Sequence, residues 1–258
     1  MPSPSADISP RRVGIVGAGR LGTALASALA EAGFEVHGPA GRGEPVGGDA
    51  IVLCVPDAEI AAAAGAVAGH APLVGHTSGA TPLTALEAAE RAGAAVFGLH
   101  PLQTFAAGEQ APGRFAGVGC AVAGSTPEAL AAARELAERV GMRPFELADE
   151  DRAAYHAAAS IASNFLITVE AAAEEVAAGA GIERSEARGL LAPLVRSTVE
   201  NWASLGPERA LTGPVARGDE GTVERQRAAV AEAAPAVLTL FDELVARTRA
   251  LAQAEVRA

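Results

Sequence analysis

At 258 residues, half of them hydrophobic and 20% charged, the chain has length for one large or two modest domains with a real core. A formal net charge of −11 argues against a nucleic-acid or anionic-membrane surface, since both need clustered positive charge. No run of about 18 apolar residues occurs, so no membrane span is expected and the protein is expected to be cytoplasmic.

Residues 1–10, MPSPSADISP, lack the apolar core of a signal peptide and are expected to form a disordered tail. Arg12 to Val16 is a short apolar run, Gly17-Ala18-Gly19-Arg20-Leu21-Gly22 is G-x-G-x-x-G, and Leu21, Ala24, Leu25, Ala28 and Leu29 then recur at helical spacing. That order predicts strand, tight glycine turn, helix. Gly17 permits the turn, Gly19 lets backbone approach a pyrophosphate, and Gly22 lets helix pack close on strand. The phosphates would sit on unpaired amides at the helix start. A triphosphatase loop would need a lysine after the last glycine, and all 20 Lys+Arg residues here are arginines. A Rossmann-shaped fold that binds no cofactor is the other competing reading; the intact fingerprint favours a dinucleotide.

Phe34 to Gly38 is the expected second strand, leading into Pro39-Ala40-Gly41-Arg42-Gly43. An NAD site places an acidic residue about 20 positions beyond the glycines. Here His37, Gly38 and Pro39 occupy that place with Arg42 just after, which favours NADP, because arginine suits a 2′-phosphate. A solvated loop arginine is the alternative.

Three further strands are predicted, each ending in a distinctive turn: Ala50 to Val55 at Pro56-Asp57, Leu73 to Gly75 at His76-Thr77-Ser78-Gly79, and Ala95 to Leu99 at His100-Pro101. Parallel sheets bind ligands at the carboxyl ends of their strands, so Val55, Pro56, Thr77 and Ser78 are expected cofactor contacts beside His100. Thr81-Pro82 and Ser125-Thr126-Pro127-Glu128 mark helix starts, and Asp57 is expected to cap a helix. Gly117 to Ala123 and Pro144 to Leu147 complete a doubly wound α/β domain over residues 11–148. Cys54 and Cys120, each in an apolar run, are expected as buried small hydrophobes, without disulfide or metal.

From residue 149 to 258 the pattern is helical, with helices predicted at 150–178, 185–205, 219–233 and 235–253 and a kink at Pro193. In the first of these, His156, Ser160, Asn164 and Thr168 recur every four residues, a polar stripe in an alanine-rich helix. It is a candidate wall of the substrate cleft; an exposed or interface face is the alternative. Of the five histidines, none has zinc-ligand spacing, so no metal site is expected. His76 is expected to be a satisfied structural histidine. His100 follows a strand at the expected nicotinamide end, where an imidazole titrating near neutrality could protonate a carbonyl oxygen. A structural turn role for it stays open. In the loop Leu211 to Asp219, Arg217 could clamp a carboxylate or merely fix the loop, the structural reading being preferred.

GIVGAGRLG, LCVPD, HTSG, LHPLQTF, YHAAASIASN and LTGPVARGD, in that order, resemble a family of Rossmann-like proteins with a C-terminal domain of unknown function (number 2520). That family is similar to the superfamily of 6-phosphogluconate dehydrogenase, pyrroline-5-carboxylate reductase, ketopantoate reductase and the F420-dependent NADP reductases. The resemblance implies an NADP-binding domain followed by a helical domain that mediates a homodimer. The hydroxyacid dehydrogenase and ketopantoate reductase relatives place a catalytic lysine one turn before an asparagine. Asn164 matches that asparagine, but Ser160 stands at the lysine position, which leaves His156, His100 and Tyr155 as candidate proton donors. The expected function is an NADP-dependent oxidoreductase acting on a small carbonyl or imine substrate between the domains. The alternatives are a non-catalytic NADP-responsive protein and an F420-type NADP reductase.

Overall fold

The computed structural model describes residues 9–105 and 113–255, so most of the expected tail lies outside the described residues. Ser9 donates its hydroxyl to Glu135 at 2.7 Å, and Pro10 is buried.

Seven strands, β1 (Arg12–Val16), β2 (Glu35–Ala40), β3 (Ala50–Leu53), β4 (Leu73–His76), β5 (Ala95–Pro101), β6 (Gly119–Gly124) and β7 (Arg143–Glu146), form one sheet in the order β2-β1-β3-β4-β5-β6-β7. Helices α1 (Arg20–Glu31), α2 (Ile60–Ala66), α3 (Glu87–Arg91) and α4 (Pro127–Arg139) alternate with them. This is the doubly wound Rossmann architecture. Every neighbouring pair is parallel except β5 and β6, which are antiparallel. Parallel neighbours need a crossover, usually helical, and no helix forms among the described residues between these two strands. β2 also runs further than Phe34 to Gly38. Gly38, at φ +108°, bends past the Ile15 carbonyl, where a Cβ would lie 2.4 Å away, and pairing resumes at Val16 with Ala40.

The central strands β3 and β4 are wholly buried, as a parallel sheet covered on both faces requires. Alternation sorts their side chains into two layers. Val13, Ile15, Val52, Phe97, Leu99 and Val122 pack with Leu25 and Leu29 of α1 and Leu136 of α4. Ile51, Leu53, Val74 and Val96 pack with Ile60 of α2 and Leu86. Thr126 caps α4, its hydroxyl accepting the Ala129 amide at 3.2 Å with Pro127 opening the helix. Asp57 begins a short helical turn without a side-chain cap bond, contrary to the expected cap. Both cysteines are free thiols; Cys120 is fully buried and Cys54 partly so.

Beyond β7 only helices follow: a turn at Asp149–Asp151, α5 (Arg152–Ser160), a π-helical segment Ile161–Phe165, α6 (Leu166–Gly179), α7 (Arg184–Leu205), α8 (Pro207–Ala210), α9 (Glu220–Ala233), and a turn Pro235–Val237 leading into α10 (Leu238–Glu255). Pro193 lies inside α7, which is assigned as one continuous helix. The chain divides into two compact units between Ser163 and Asn164. That is later than the loss of strand signal at 149, because α5 is tied to the sheet through Arg152 and Tyr155. No helix among the described residues is long and apolar enough to cross a membrane.

Candidate functional site

The sheet order places β2 and β3 on opposite sides of β1, so the crevice beyond β1 is a topological switch point. The glycine turn fills that place. A Cβ at Gly17 (φ +106°) would lie 2.3 Å from the Cys54 carbonyl oxygen, and one at Gly22 would lie 1.9 Å from the Gly17 carbonyl oxygen. A Cβ at Gly19 would meet nothing within 4 Å. Two glycines are therefore demanded by the fold itself. The third faces open space, and its backbone is extended (φ −75°, ψ −177°), so any residue could adopt it.

Gly19 stands at the N-cap of α1 and supplies no side-chain cap, and the first turn of the helix carries no acidic residue. Thr23 is the first amide bonded to a helical carbonyl, that of Gly19 at 2.9 Å. The amides of Arg20, Leu21 and Gly22 precede it at the helix start, where intrahelical partners are lacking and an anion is favoured. The exposed Ala18 and Arg20 flank them. A dinucleotide pyrophosphate fits this cradle.

The remaining expected coenzyme contacts sort by their partners. Arg42 is 86% exposed and paired with Glu59 at 2.9 Å; so exposed a pair is held weakly. Val55 and Pro56 follow β3 at the same strand ends, Pro56 exposed. Thr77 and Ser78 are buried and bonded inward. The Thr77 hydroxyl donates to the Leu53 carbonyl at 3.3 Å. The Ser78 hydroxyl donates to Thr81 at 2.9 Å and accepts the amides of Ala80 and Thr81.

At the end of β5, His100 Nδ1 lies 2.8 Å from the Tyr155 hydroxyl, and Tyr155 stacks edge-on against Phe145. The His156 ring is exposed, 6.2 Å from His100 between centroids. Gly79 lets the imidazole in, since a Cβ there would lie 2.8 Å from it. Burial first, then His156 and Arg152, hold His100 down at about 4 against a weaker upward pull from Asp57. The expectation of a ring titrating near neutrality is thereby corrected: His100 is uncharged at pH 7. Burial likewise pushes the Tyr155 phenol up to about 12.

His76 is wholly buried. Its Nδ1 accepts the Ser78 amide at 3.2 Å, which leaves the proton on Nε2; that nitrogen has no well-formed hydrogen bond among the described residues, and only a weak pull from the Pro82 backbone acts on the ring. The expected satisfied histidine is half satisfied. Burial and the Arg152 charge hold it at about 4.

The polar stripe spans a change of helix type: His156 and Ser160 lie on α5, Asn164 lies within the π-helical segment Ile161–Phe165, and Thr168 lies on α6. Thr168 turns its hydroxyl back to the Asn164 carbonyl at 3.2 Å.

Two residues outside the expected set, Arg152 and Asp149, complete the His100 neighbourhood. Arg152 is 2% exposed; its Nε donates to Asp149 Oδ1 at 2.6 Å and its Nη1 to the Ser78 carbonyl at 3.3 Å. The other Asp149 oxygen accepts the Leu83 amide at 2.9 Å. The Asp149–Arg152 spacing of three is a visible signal of pairing; the burial, which depends on Gly98, is not.

In the helical unit the Arg217 loop is ordered by its own backbone, Arg217 donating to Gly213 and Asp219 to Pro214. Asp219 caps α9 through Thr222 at 3.1 Å. Arg217, Glu220, Arg249 and Gln253 border an open cleft of about 480 Å³. No group of three His, Cys, Asp or Glu side chains able to hold a metal occurs among the described residues.

The family described as "Domain of unknown function (DUF2520)" matches residues 118–248, from just before β6 into α10. The chain belongs to the DUF2520 family. Among solved structures it is similar to a candidate NADP oxidoreductase, BF3122 of Bacteroides fragilis, at 22% identity and a TM-score of 0.77, covering 94% of this chain and 99% of that one. Protein TM1727 of Thermotoga maritima aligns over the same shares at 25% identity and 0.75. The pyrroline carboxylate reductase of Plasmodium falciparum, solved with NADP bound, aligns at 14% identity and 0.58 over 93% of this chain and 98% of that one. No curated protein matches. These likenesses establish a Rossmann domain followed by a helical domain as the shared fold.

Proposed function

We propose that this DUF2520 protein is an NADP-dependent oxidoreductase that transfers hydride to or from a small carbonyl or imine substrate. The observation that carries the reading is the glycine turn, whose fold-blocked Gly17 and Gly22 flank an open Gly19 beside uncapped helix amides. The BF3122 and Plasmodium relatives, named for NADP, support the same coenzyme. Gly17 through Gly22 would hold the pyrophosphate and Arg42, released from Glu59, the 2′-phosphate, with Val55, Pro56, Thr77 and Ser78 along the strand ends. NADPH, when bound, supplies the hydride.

The chain's own task is the proton. His100 and Tyr155 form the pair that handles it, the neutral imidazole orienting the phenol through Nδ1. His156 and Ser160 present polar groups on the adjoining face of α5. The substrate is proposed to lie between the domains, with Asn164 as the helical unit's contribution. A homodimer through the helical domain is part of the proposal, supported by the exposed Leu190, Leu194, Val199 and Trp202 of α7.

Turnover of NADPH against a panel of small carbonyls and imines tests the reading. Tyr155→Phe and His100→Ala are expected to lower kcat by about 10²–10⁴-fold, the usual range for a positioned proton donor. Unchanged turnover in both would remove the pair from the mechanism. Arg42→Ala is expected to erase most of the preference for NADPH over NADH. Two observations favour a non-catalytic NADP-responsive protein: the chain has no lysine, and His100 is held low, at about 4. Tight coenzyme binding without turnover of any panel member would select that reading.

A further inference from the structure

Arg152 is the largest fully buried side chain among the described residues, and it is charged. Burying a guanidinium is costly even when paired, and an apolar side chain of similar size often serves stability as well or better. Its carboxylate partner Asp149 is itself about a third exposed. What distinguishes the position is where its contacts go. Nη1 reaches the carbonyl of Ser78, in the turn that closes β4. Nη2 lies against Gly98 in β5, where a Cβ would come within 2.6 Å. Nε reaches Asp149, which also holds the Leu83 amide. The guanidinium thus ties the turn after β4 and the Asp149 turn to the start of α5, with Nη2 packed against Gly98 of β5. His100 stands two residues beyond Gly98, and Tyr155 one turn beyond Arg152.

We infer that Arg152 is a positioning residue, whose buried guanidinium fixes the imidazole of His100 against the Tyr155 hydroxyl by bonding the turn after β4 to α5 and packing against Gly98 of β5. The inference rests on the proposed role of His100 in proton handling. The titratable groups around this ring are Arg152, Tyr155 and His156 from α5 and Asp57 from the turn after β3, with Cys120 of β6 near Tyr155 and His76 of β4 facing the same guanidinium. Of these, Arg152 and His156 disfavour the imidazolium and Asp57 favours it. Arg152 therefore has an electrostatic consequence that a purely mechanical brace would lack.

The test uses the full chain. Arg152→Met keeps the aliphatic stem and removes the charge and donors; Gly98→Ala keeps every donor and pushes the guanidinium aside. The His100 ring is followed by NMR titration without substrate, alongside NADPH affinity, kcat and KM. Arg152→Met is expected to raise the His100 titration, by less than burial and His156 lower it. Its kcat is expected to fall at least tenfold, with KM and NADPH affinity within about threefold of the parent. Gly98→Ala is expected to lower kcat similarly with a smaller titration shift. If Arg152→Met does not fold, Arg152→Lys replaces it, with a kcat loss of at least fivefold at unchanged NADPH affinity expected. Parental kcat and an unmoved His100 titration in the folded variants would overturn the assignment. Because the titration needs no substrate, a parent protein that turned over no carbonyl or imine would overturn the functional reading alone. The positioning role would then be decided by the titration.

Discussion

The two units bury their apolar residues to very different degrees. In the Rossmann unit the large aliphatic side chains of β1, β3, β4 and β5 are closed off almost completely, with Ile15, Ile51, Leu53, Leu73 and Leu99 at 0–1% exposure. In the helical unit the buried apolar set shrinks to Ala187, Val223, Val230, Ala234 and Val245, while Phe165, Ile167, Leu190, Leu194, Val199, Trp202, Leu205 and Leu244 are exposed. A sheet covered on both faces completes its own core. A few helices with apolar residues turned outward do not, and exposed apolar patches of this kind mark interaction surfaces. The first unit closes its own core around the glycine turn; the second leaves apolar side chains exposed.

The largest effect expected from breaking this contrast lies in the Rossmann unit. Gly22→Ala drives a Cβ to within 1.9 Å of the Gly17 carbonyl oxygen, so loss of the cooperative melting transition, or destabilisation above about 4 kcal/mol, is expected by calorimetry, with loss of NADPH binding. A Gly22→Ala protein that melts like the parent would show the turn to be more plastic than its geometry allows.

In the helical unit the expected effect is on association. Leu194→Glu with Trp202→Glu places charge on the exposed face of α7 and is expected to weaken self-association at least 100-fold by sedimentation, since buried aromatic anchors dominate interfaces. The Rossmann unit's coenzyme affinity should be little changed. A monomeric parent, or a double variant that associates as tightly, would remove the homodimer from the account.

A further effect separates the units by pH. All five histidines precede Ser163, and His76 and His100 are both held at about 4, below the unfolded value of 6.5. Above 6.5 neither state is protonated and nothing is lost. As pH falls from 6.5 towards 4 the unfolded chain takes up protons that the folded one refuses. Stability therefore drops by up to about 1.4 kcal/mol per pH unit for each histidine. Denaturant midpoints across that window should fall, and less so in His76→Gln. A flat profile would contradict the burial of both rings.

The same contrast explains how much can be read from the sequence. The fingerprint Gly17 to Gly22, the alternating strands and the caps at Thr126 and Pro127 are local, and each forms where its residues signal it. The reversal of β6 is hidden because hydrophobic spacing does not mark the direction of a strand. The π turn that holds Asn164, within the His156–Ser160–Asn164 stripe, is invisible in a period of four. Arg152 gives no local sign of its burial, which is conferred by Gly98, 54 positions earlier in the chain. The depressed titration of His100 comes from neighbours brought together only by the fold.

The central claim is that Gly19 is kept open for a dinucleotide and not for the fold. Nucleotide-free parent and Gly19→Val proteins, titrated with NADPH by fluorescence, test it most directly. The account predicts saturation of the parent at roughly 1–100 μM, and no saturation in Gly19→Val, with the two melting within about 2 °C of each other. A parent that does not bind, or a Gly19→Val variant that binds equally well, would contradict it.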